Sequence, residues 1–174
     1  MKIARKLRVD APPDRVWDIL GPNYVRAGDW ASSVYVSAAR AGTPKVPGAP
    51  VAGRTCETSL GPFTETVEAY DADRRHVAYS ATGDKMPGFM RGLRNSWTVR
   101  SAPGGGSEVE MELNADIAFP FNVLMGPMMK LQFGKVLKEA TQELKHYAET
   151  GTPHPRKVKA DRSKKGVAAR AAAA

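Results

Sequence analysis

The stretch PMMKLQFGKVLKEATQELKHYAE, residues 127–149, carries the strongest helix pattern in the chain. Its apolar side chains recur every three or four residues, which places them on one stripe of an α-helix. The stripe consists of Met129, Phe133, Val136, Ala140, Leu144 and Tyr147. The opposite face suits water and carries Lys130, Lys135, Lys138, Glu139, Gln142, Glu143, Lys145 and Glu149. Pro127 suits the first turn of such a helix and Gly151 its end. At 1.5 Å per residue the helix is about 34 Å long, and another part of the chain must cover its stripe.

The covering element is predicted from the sequence that precedes the helix, where short strands follow one another. Residues 108–117 show the clearest strand, because polar and apolar side chains alternate over the whole stretch. The apolar set is Val109, Met111, Leu113, Ala115 and Ile117. One polar and one apolar face are typical of an antiparallel sheet that is covered on one side.

The same reasoning predicts six further strands and places two short helical segments between the first strand and the second. The strands are expected at residues 2–9, 32–39, 51–59, 63–70, 75–82 and 93–100. Strands followed by one long helix favour an α+β fold, in which a curved seven-stranded antiparallel sheet wraps around the C-terminal helix. We expect residues 1–150 to form a single domain.

The charge of the chain is concentrated at its C-terminal end. Lysine and arginine number 26 against 18 aspartates and glutamates, a formal net charge of +8. Residues 151–174 hold seven of the basic residues and one acid, so this tail carries +6 and residues 1–150 only +2. The tail lacks aromatic residues and is rich in alanine, glycine and proline, which predicts disorder. A solvated extension is favoured over nucleic-acid binding, which needs stacking partners, and contact with an anionic surface stays open.

The cysteine content and the first residues bear on the compartment. Cys56 is the only cysteine, so no disulfide forms within the chain and a reducing compartment is expected. The start, MKIARKLRVDAPP, lacks the apolar core of a signal peptide. No run approaches the roughly 18 apolar residues of a membrane span. The sequence therefore predicts a cytoplasmic protein without a transmembrane segment.

A ligand cavity is predicted between the inner face of the sheet and the long helix. Asn95 lies in phase with Leu93, Trp97 and Val99, which brings one polar group among apolar ones. Large apolar side chains with a few polar groups are typical of small-molecule pockets. The candidate ligand-binding residues are Tyr35, Tyr79, Phe89, Met90, Asn95, Trp97, Met111, Leu113, Met125, Met128, Met129 and Phe133. Closed core packing is the alternative for the aromatic and methionine side chains, and a backbone contact at a bulge is the alternative for Asn95.

Glu65 is the one candidate for a catalytic group. It shares the phase of the apolar residues on its strand, so its carboxylate is expected to point inward, where burial suits a proton-transfer role. A place at the sheet rim or an ion pair with Arg54 or Arg94 is the favoured alternative. Neither a metal site nor a cofactor is expected, because no ligand-like spacing relates the three histidines, His76, His146 and His154.

Several stretches together resemble one protein superfamily. They are Ala11-Pro12-Pro13-Asp14-Arg15-Val16-Trp17, Trp30-Ala31, Glu68-Ala69-Tyr70-Asp71, Asn95-Ser96-Trp97 and the final amphipathic helix. In these features, residues 1 to about 150 resemble the START-related, polyketide cyclase/dehydrase-like superfamily, often called SRPBCC. The resemblance implies the helix-grip fold of the birch-pollen allergen, with a deep and largely apolar cavity between sheet and helix. Members of the superfamily include lipid and hormone carriers, polyketide aromatases and cyclases, and no fixed catalytic motif carries over to this chain.

Three functions follow as hypotheses. The first is binding of a hydrophobic or aromatic small molecule, such as a lipid, an isoprenoid or a polyketide-like compound. The second is an enzyme of the cyclase or dehydratase type, in which Glu65 or a cavity tyrosine moves protons; enzyme status stays open, and binding is favoured. The third is an interaction protein whose basic tail binds an anionic partner. We expect a monomer or a homodimer and no specific nucleic-acid partner.

Overall fold

The computed structural model describes residues 1–173, and its elements follow the predicted order up to the end of the long helix. The strands are β1 (Lys2–Val9), β2 (Val34–Ala39), β3 (Gly53–Thr58), β4 (Gly61–Asp71), β5 (His76–Gly83), β6 (Met90–Ser101) and β7 (Ser107–Ile117). The helices are α1 (Pro13–Leu20), α2 (Phe121–Leu124), α3 (Gly126–Thr150), α4 (Pro155–Asp161) and α5 (Lys164–Ala173), and 3₁₀ segments cover Tyr24–Asp29 and Pro103–Gly105. Within residues 1–173, no helix combines the length and the apolar composition needed to span a membrane.

The strands form one antiparallel sheet in the order β1-β7-β6-β5-β4-β3-β2, with β1 and β2 at its edges. Consecutive strands pair throughout, except that β1 crosses over to pair with β7. In β7 the odd-numbered residues are buried and the even-numbered ones are more exposed, as the alternating sequence predicts. The sheet is curved around α3, so the predicted α+β class and the helix-grip arrangement are confirmed.

The two short helical segments between β1 and β2 cover one end of the concave face. Pro13 occupies the first turn of α1, and Asp14 follows it, where a negative charge suits the helix dipole. The buried side chains of α1 are Val16, Trp17 and Leu20. The 3₁₀ segment then brings Tyr24 into the interior, where it is 4% exposed.

The long helix α3 extends one residue beyond the predicted range at each end. Gly151 ends it with φ of 74°, a left-handed conformation that glycine adopts without steric cost. The most buried apolar positions of α3 are Met129, Leu137, Leu144 and Ala148. The predicted stripe is therefore rotated, because α3 packs against β1 and β7 at one side of the sheet. Phe133, Val136 and Ala140 instead border a cavity.

Glu143 corrects the predicted polar face of α3, because it is buried and only 1% exposed. Its carboxylate accepts hydrogen bonds from the backbone N–H of Ser32 (2.8 Å) and from the Ser32 hydroxyl (2.7 Å). The guanidinium of Arg156 donates a third hydrogen bond at 2.8 Å. A buried carboxylate is tolerated when it is paired in this way, and helical periodicity carries no information about such distant partners.

The tail departs furthest from the sequence prediction. Composition predicts disorder over residues 151–174, whereas α4 and α5 occupy most of this stretch, and α5 packs against β2. Lys157 is 1% exposed, and its ammonium group donates to the carbonyl of Val34 (2.7 Å) and to the carboxylate of Asp161 (2.6 Å). The prediction fails because polar contacts with the edge strand and with α3 order the tail, and composition reports only apolar burial.

Candidate functional site

A cavity of about 310 Å³ lies between the concave face of the sheet and the middle of α3. This volume falls at the lower end of the range for small-molecule pockets, about 300–1,000 Å³. The apolar part of its wall includes Leu20, Ala27, Val34, Phe63, Ala81 and Leu93. Two further wall residues, Leu60 and Val136, are 70% and 44% exposed. The cavity therefore opens to the surface between the turn that joins β3 to β4 and the helix α3.

Cross-strand pairing aligns charged and apolar wall residues in one row. Arg54 on β3 pairs with Glu65 on β4, Glu65 with Ala81 on β5, and Ala81 with Leu93 on β6. Beside this row, a Cβ on Gly53 would lie 2.0 Å from the carbonyl oxygen of Glu65, so only glycine lets β3 approach β4 here. The row is charged at the β3 and β4 end and apolar at the β5 and β6 end.

A second row crosses β5, β6 and β7, two residues away from the first row. It places the amide of Asn95 next to aromatic rings. Tyr79 pairs with Asn95, and Asn95 pairs with Leu113. Trp97 stands next to Asn95 on the same face, since residues two apart on a strand share a face. The indole N–H of Trp97 donates to the hydroxyl of Tyr79 at 3.4 Å. The ring of Trp30 packs edge-on against the ring of Trp97, with centroids 6.3 Å apart.

The charged end of the cavity is a hydrogen-bonded cluster of Tyr24, Arg54 and Glu65. One carboxylate oxygen of Glu65, Oε2, accepts from the Tyr24 hydroxyl at 2.5 Å and from Nε of Arg54 at 2.7 Å. Nη1 of Arg54 donates to the carbonyl of Tyr24 at 2.5 Å, and the guanidinium lies 4.2 Å from the centroid of the Tyr24 ring. The other oxygen, Oε1, has no hydrogen-bond partner among residues 1–173 and keeps access to the cavity.

Burial sets the protonation of this cluster. It raises the pKa of Tyr24 and of Tyr79 well above the ordinary tyrosine value, so both hydroxyls stay protonated. The hydroxyl of Tyr24 donates to Glu65, whereas that of Tyr79 accepts from Trp97 and keeps its own proton free. Burial also disfavours the cation of Arg54, but the neighbouring groups, led by the Glu65 carboxylate, more than compensate and raise the pKa of Arg54. Arg54 therefore remains charged inside the protein.

Two buried side-chain polar atoms have no hydrogen-bond partner among the described residues, and of these only Oδ1 of Asn95 belongs to a residue of the cavity wall; the other is Nε of Arg40. The only irregularity in the pairing of β6 with β7 lies between Met90 and Gly92, so a bulge does not account for Asn95. A buried polar atom without a partner costs about 1–3 kcal/mol. The side chain of Asn95 borders the cavity, and rotation about its terminal torsion, which is soft in asparagine, presents the oxygen to a hydrogen-bond donor of a bound molecule.

Half of the sequence-predicted site residues lie on the wall of this cavity: Tyr79, Asn95, Trp97, Met111, Leu113 and Phe133. Tyr35 does not, because the register of β2 against β3 shifts between Val34 and Val36. This β-bulge turns Val34 toward the cavity and leaves Tyr35 facing the groove beside α5.

The other five predicted residues lie around the start of α3, ahead of the cavity. The aromatic ring of Phe89 stacks on that of Phe121, with centroids 4.7 Å apart. Met90 and Met125 pack against the core, Met129 is buried in it, and Met128 is 49% exposed. The helical pattern grouped these residues with Phe133, but α3 reaches the cavity only from Phe133 onward.

The sequence does not indicate two residues of the site, Tyr24 and Trp30, and it indicates a third, Arg54, only indirectly. The sequence marks Arg54 only as a possible partner of Glu65, and this ion pair is observed. Arg54 also lies in phase with the buried Cys56, which is the signal for an inward side chain. Arg94, the other partner considered, pairs with Glu68 instead. Tyr24 and Trp30 come from the 3₁₀ segment and its end, where no periodicity marks an inward side chain.

Two of the three histidines, His146 on α3 and His154 before α4, contact each other and serve the packing of the fold. Among residues 1–173, no three histidine, cysteine, aspartate or glutamate side chains cluster so as to hold a metal ion. His146 and His154 stack edge-on with ring centroids 5.2 Å apart. Nδ1 of His154 accepts the backbone N–H of Arg156 at 3.1 Å and so caps α4. Burial, followed by the charge of Arg156, lowers the pKa of His154 below its ordinary value.

Known proteins share both the sequence pattern and the fold. The family described as polyketide cyclase / dehydrase and lipid transport matches residues 1–149. A START superfamily protein from Mycobacterium smegmatis superimposes with a TM-score of 0.69 at 13% identity, over 87% of this chain and 99% of that chain. XoxI from Bacillus cereus superimposes with a TM-score of 0.66 at 14% identity, over 83% of this chain and 93% of that chain. A protein from Nitrosospira multiformis superimposes with a TM-score of 0.65 at 18% identity, over 87% of this chain and 98% of that chain. Identities this low show a common fold alone, and no curated protein sequence matches this chain.

Proposed function

The chain belongs to the polyketide cyclase / dehydrase and lipid transport family, and from this premise we propose that its cavity binds one small molecule with a hydrophobic or aromatic body and one polar group. The observation that carries the proposal is the unpaired Oδ1 of Asn95 on an otherwise mainly apolar wall. A fold that closed this space for packing alone gains nothing from a buried amide without a partner. A ligand that donates one hydrogen bond removes that cost.

The two rows of wall residues describe the ligand. Aromatic and aliphatic side chains contact its body, and burial of apolar surface contributes about 25 cal/mol per Å² before the costs of association. A hydroxyl or N–H group on the ligand suits Oδ1 of Asn95, and an acceptor suits the hydroxyl of Tyr79. Compact lipids, isoprenoids and aromatic polyketide-like compounds combine these parts. Their common chemistry is one polar group on an apolar skeleton.

Native mass spectrometry of the purified protein, followed by denaturing extraction, tests this proposal. We expect a co-purifying apolar compound, or saturable binding of the fluorescent probe N-phenyl-1-naphthylamine, which has an aromatic body and one N–H donor. Ala140→Trp fills the cavity from α3 and should abolish both signals, whereas Lys138→Trp on the exposed side of the same helix should retain them. Equal binding by the two variants places the probe outside the cavity and refutes the proposal.

A cyclase or dehydratase activity is the second candidate, and one observation favours it. Oε2 of Glu65 is fixed by Tyr24 and Arg54 while Oε1 faces the cavity, which is a suitable geometry for a general base. The hydroxyl of Tyr79 is the matching donor, because burial keeps it protonated and its O–H donates no hydrogen bond within the described residues. If the extracted compound is turned over, Glu65→Gln should remove one limb of the pH–rate profile. Unchanged turnover eliminates Glu65 as the base.

Three of the seven basic residues of the tail make close polar contacts within the molecule. Arg156 pairs with Glu143, Lys157 bonds to the carbonyl of Val34, and Arg170 pairs with Asp161. These three contacts use basic side chains inside the molecule. They give the tail the role of a brace across the edge strand β2 and α3.

A further inference from the structure

The end of the molecule where α3 begins exposes an unusual number of large apolar side chains. They follow β7 directly, in the turn before α2, in α2 itself and in the first turns of α3. We call this set the apolar tip; it comprises Phe119, Phe121, Val123, Leu124, Met128 and Leu131. Its members come from a single stretch of thirteen residues, whereas the rest of the described chain exposes only three further large apolar side chains, Leu60, Val136 and Val167. Exposed apolar clusters of this kind mark interaction sites.

The shape of the apolar tip excludes a groove. Phe119 is 79% exposed, Leu124 73% and Leu131 77%. Side chains with so much free surface project from the protein and do not line a concave site. Projecting apolar groups suit a soft layer into which they insert, and they suit less well a rigid partner that offers matched pockets.

The charge around the apolar tip identifies the layer. From residue 117 to residue 138 the chain contains Lys130, Lys135 and Lys138 and no acidic residue; Glu139 follows, and its carboxylate lies 3.9 Å from the ammonium group of Lys135. Lys135 and Lys138 are exposed and follow Leu131 by four and seven residues, so all three lie on one face of α3. At 1.5 Å per residue the two lysines stand about 6 and 10 Å further along the helix axis than Leu131. In a bilayer, the lipid phosphates lie at a similar distance above the outer acyl chains. The apolar side chains therefore match the acyl region, and the lysines match the phosphate layer.

We propose that the apolar tip docks this protein onto an anionic membrane surface. The six apolar side chains enter the outer acyl region, and Lys130, Lys135 and Lys138 contact the lipid phosphates. Val136, at the opening of the cavity, lies five residues after Leu131, so docking places the opening close to the membrane. The inference is independent of the proposed ligand, because membrane binding is measured without one.

Vesicle flotation of the full chain tests the proposal. We expect partitioning onto phosphatidylcholine vesicles with 30% phosphatidylglycerol, and at least tenfold less onto pure phosphatidylcholine or at high salt. Leu124→Ser with Leu131→Ser should lower partitioning at least tenfold, whereas Val167→Ser, at an exposed apolar residue of α5 that lies neither in the apolar tip nor on the cavity wall, should not change it. Each of Lys135→Gln and Lys138→Gln should cost about fivefold, the equivalent of about 1 kcal/mol per charge at an anionic surface. Lys2→Gln and Lys6→Gln on β1 are the matched controls.

Three results would overturn the proposal. If the two leucine substitutions leave vesicle binding unchanged, the membrane contact lies outside the apolar tip. Equal binding to neutral and anionic vesicles removes the role of the lysines. A homodimer in light scattering that the leucine substitutions dissociate, together with no vesicle binding, makes the apolar tip an interface between two copies of the chain. Because the substituted side chains are exposed, circular dichroism should show every variant folded.

Discussion

Replacement of Asn95 by leucine changes stability and binding in opposite directions if the cavity is a ligand site. In the free protein the substitution removes a buried oxygen that accepts no hydrogen bond from the described residues. The cost of such an atom is about 1–3 kcal/mol. Leucine is larger than asparagine, but the side chain borders a 310 Å³ cavity that accommodates the added atoms without overpacking. We expect Asn95→Leu to raise the free energy of unfolding by about 1–3 kcal/mol, or the Tm by roughly 2–12 °C.

Binding should weaken in the same variant, because the ligand loses its hydrogen bond to the amide. A net value of about 0.5–1.5 kcal/mol corresponds to a roughly two- to tenfold higher Kd. Urea denaturation without ligand and titration with N-phenyl-1-naphthylamine measure the two effects. Asn114→Leu is the control, since Asn114 lies on β7 and donates to Glu112 at 2.7 Å, away from the cavity wall. The control should show no gain in stability and no loss of affinity.

The reasoning is refuted if Asn95→Leu lowers stability while affinity stays unchanged. That outcome means that the amide is satisfied within the fold and serves its structure. A gain in stability without any change in affinity keeps the cavity but removes Asn95 from ligand recognition.

Three further changes test the remaining contacts. Glu65→Gln leaves the cation of Arg54 buried without its carboxylate, so urea denaturation should show a loss of about 3–5 kcal/mol; a loss below about 1 kcal/mol contradicts a buried ion pair. Burial lowers the pKa of His154 below 6.5, so just below that pH the unfolded chain binds more protons than the folded one and stability falls as the pH falls. His154→Asn keeps a capping acceptor that does not titrate, and its thermal melts should vary less between pH 7 and pH 5; an equal slope excludes His154. Deletion of residues 152–174 removes one partner from the buried carboxylate of Glu143 and should cost at least about 1–3 kcal/mol, whereas a disordered tail would cost nothing.

Much of the fold could be predicted because its patterns are local. The alternation in residues 108–117 and the helical spacing in residues 127–149 each result from one element that buries one face. Each pattern lies within a single segment, so neighbouring residues suffice to recognise it. The extents of β7 and α3 agree with these predictions to within one residue at each end.

The candidate site could be predicted only in part. The sequence indicates Asn95 and Trp97 because they continue the inward phase of a regular strand, and both lie on the cavity wall. The prediction for Tyr35 is wrong because one β-bulge reverses the phase of β2, and the position of a bulge cannot be recognised from periodicity. The buried partners of Glu65 come from other elements, and only cross-strand register together with the 3₁₀ segment brings Tyr24 and Arg54 to its carboxylate.

The class of fold, the order of its elements and the inward face of the regular strands therefore follow from local patterns of residues. The rotation of α3 on the sheet, the ordered tail, the polar cluster in the cavity and the position of the apolar tip arise only from the packing of distant elements. The physical reason is that periodicity reports which side of an element is dry, a property of neighbouring residues. Hydrogen-bond partners and the shape of a cavity depend on residues far apart in the chain, such as Ser32 and Glu143, which meet only when the elements pack.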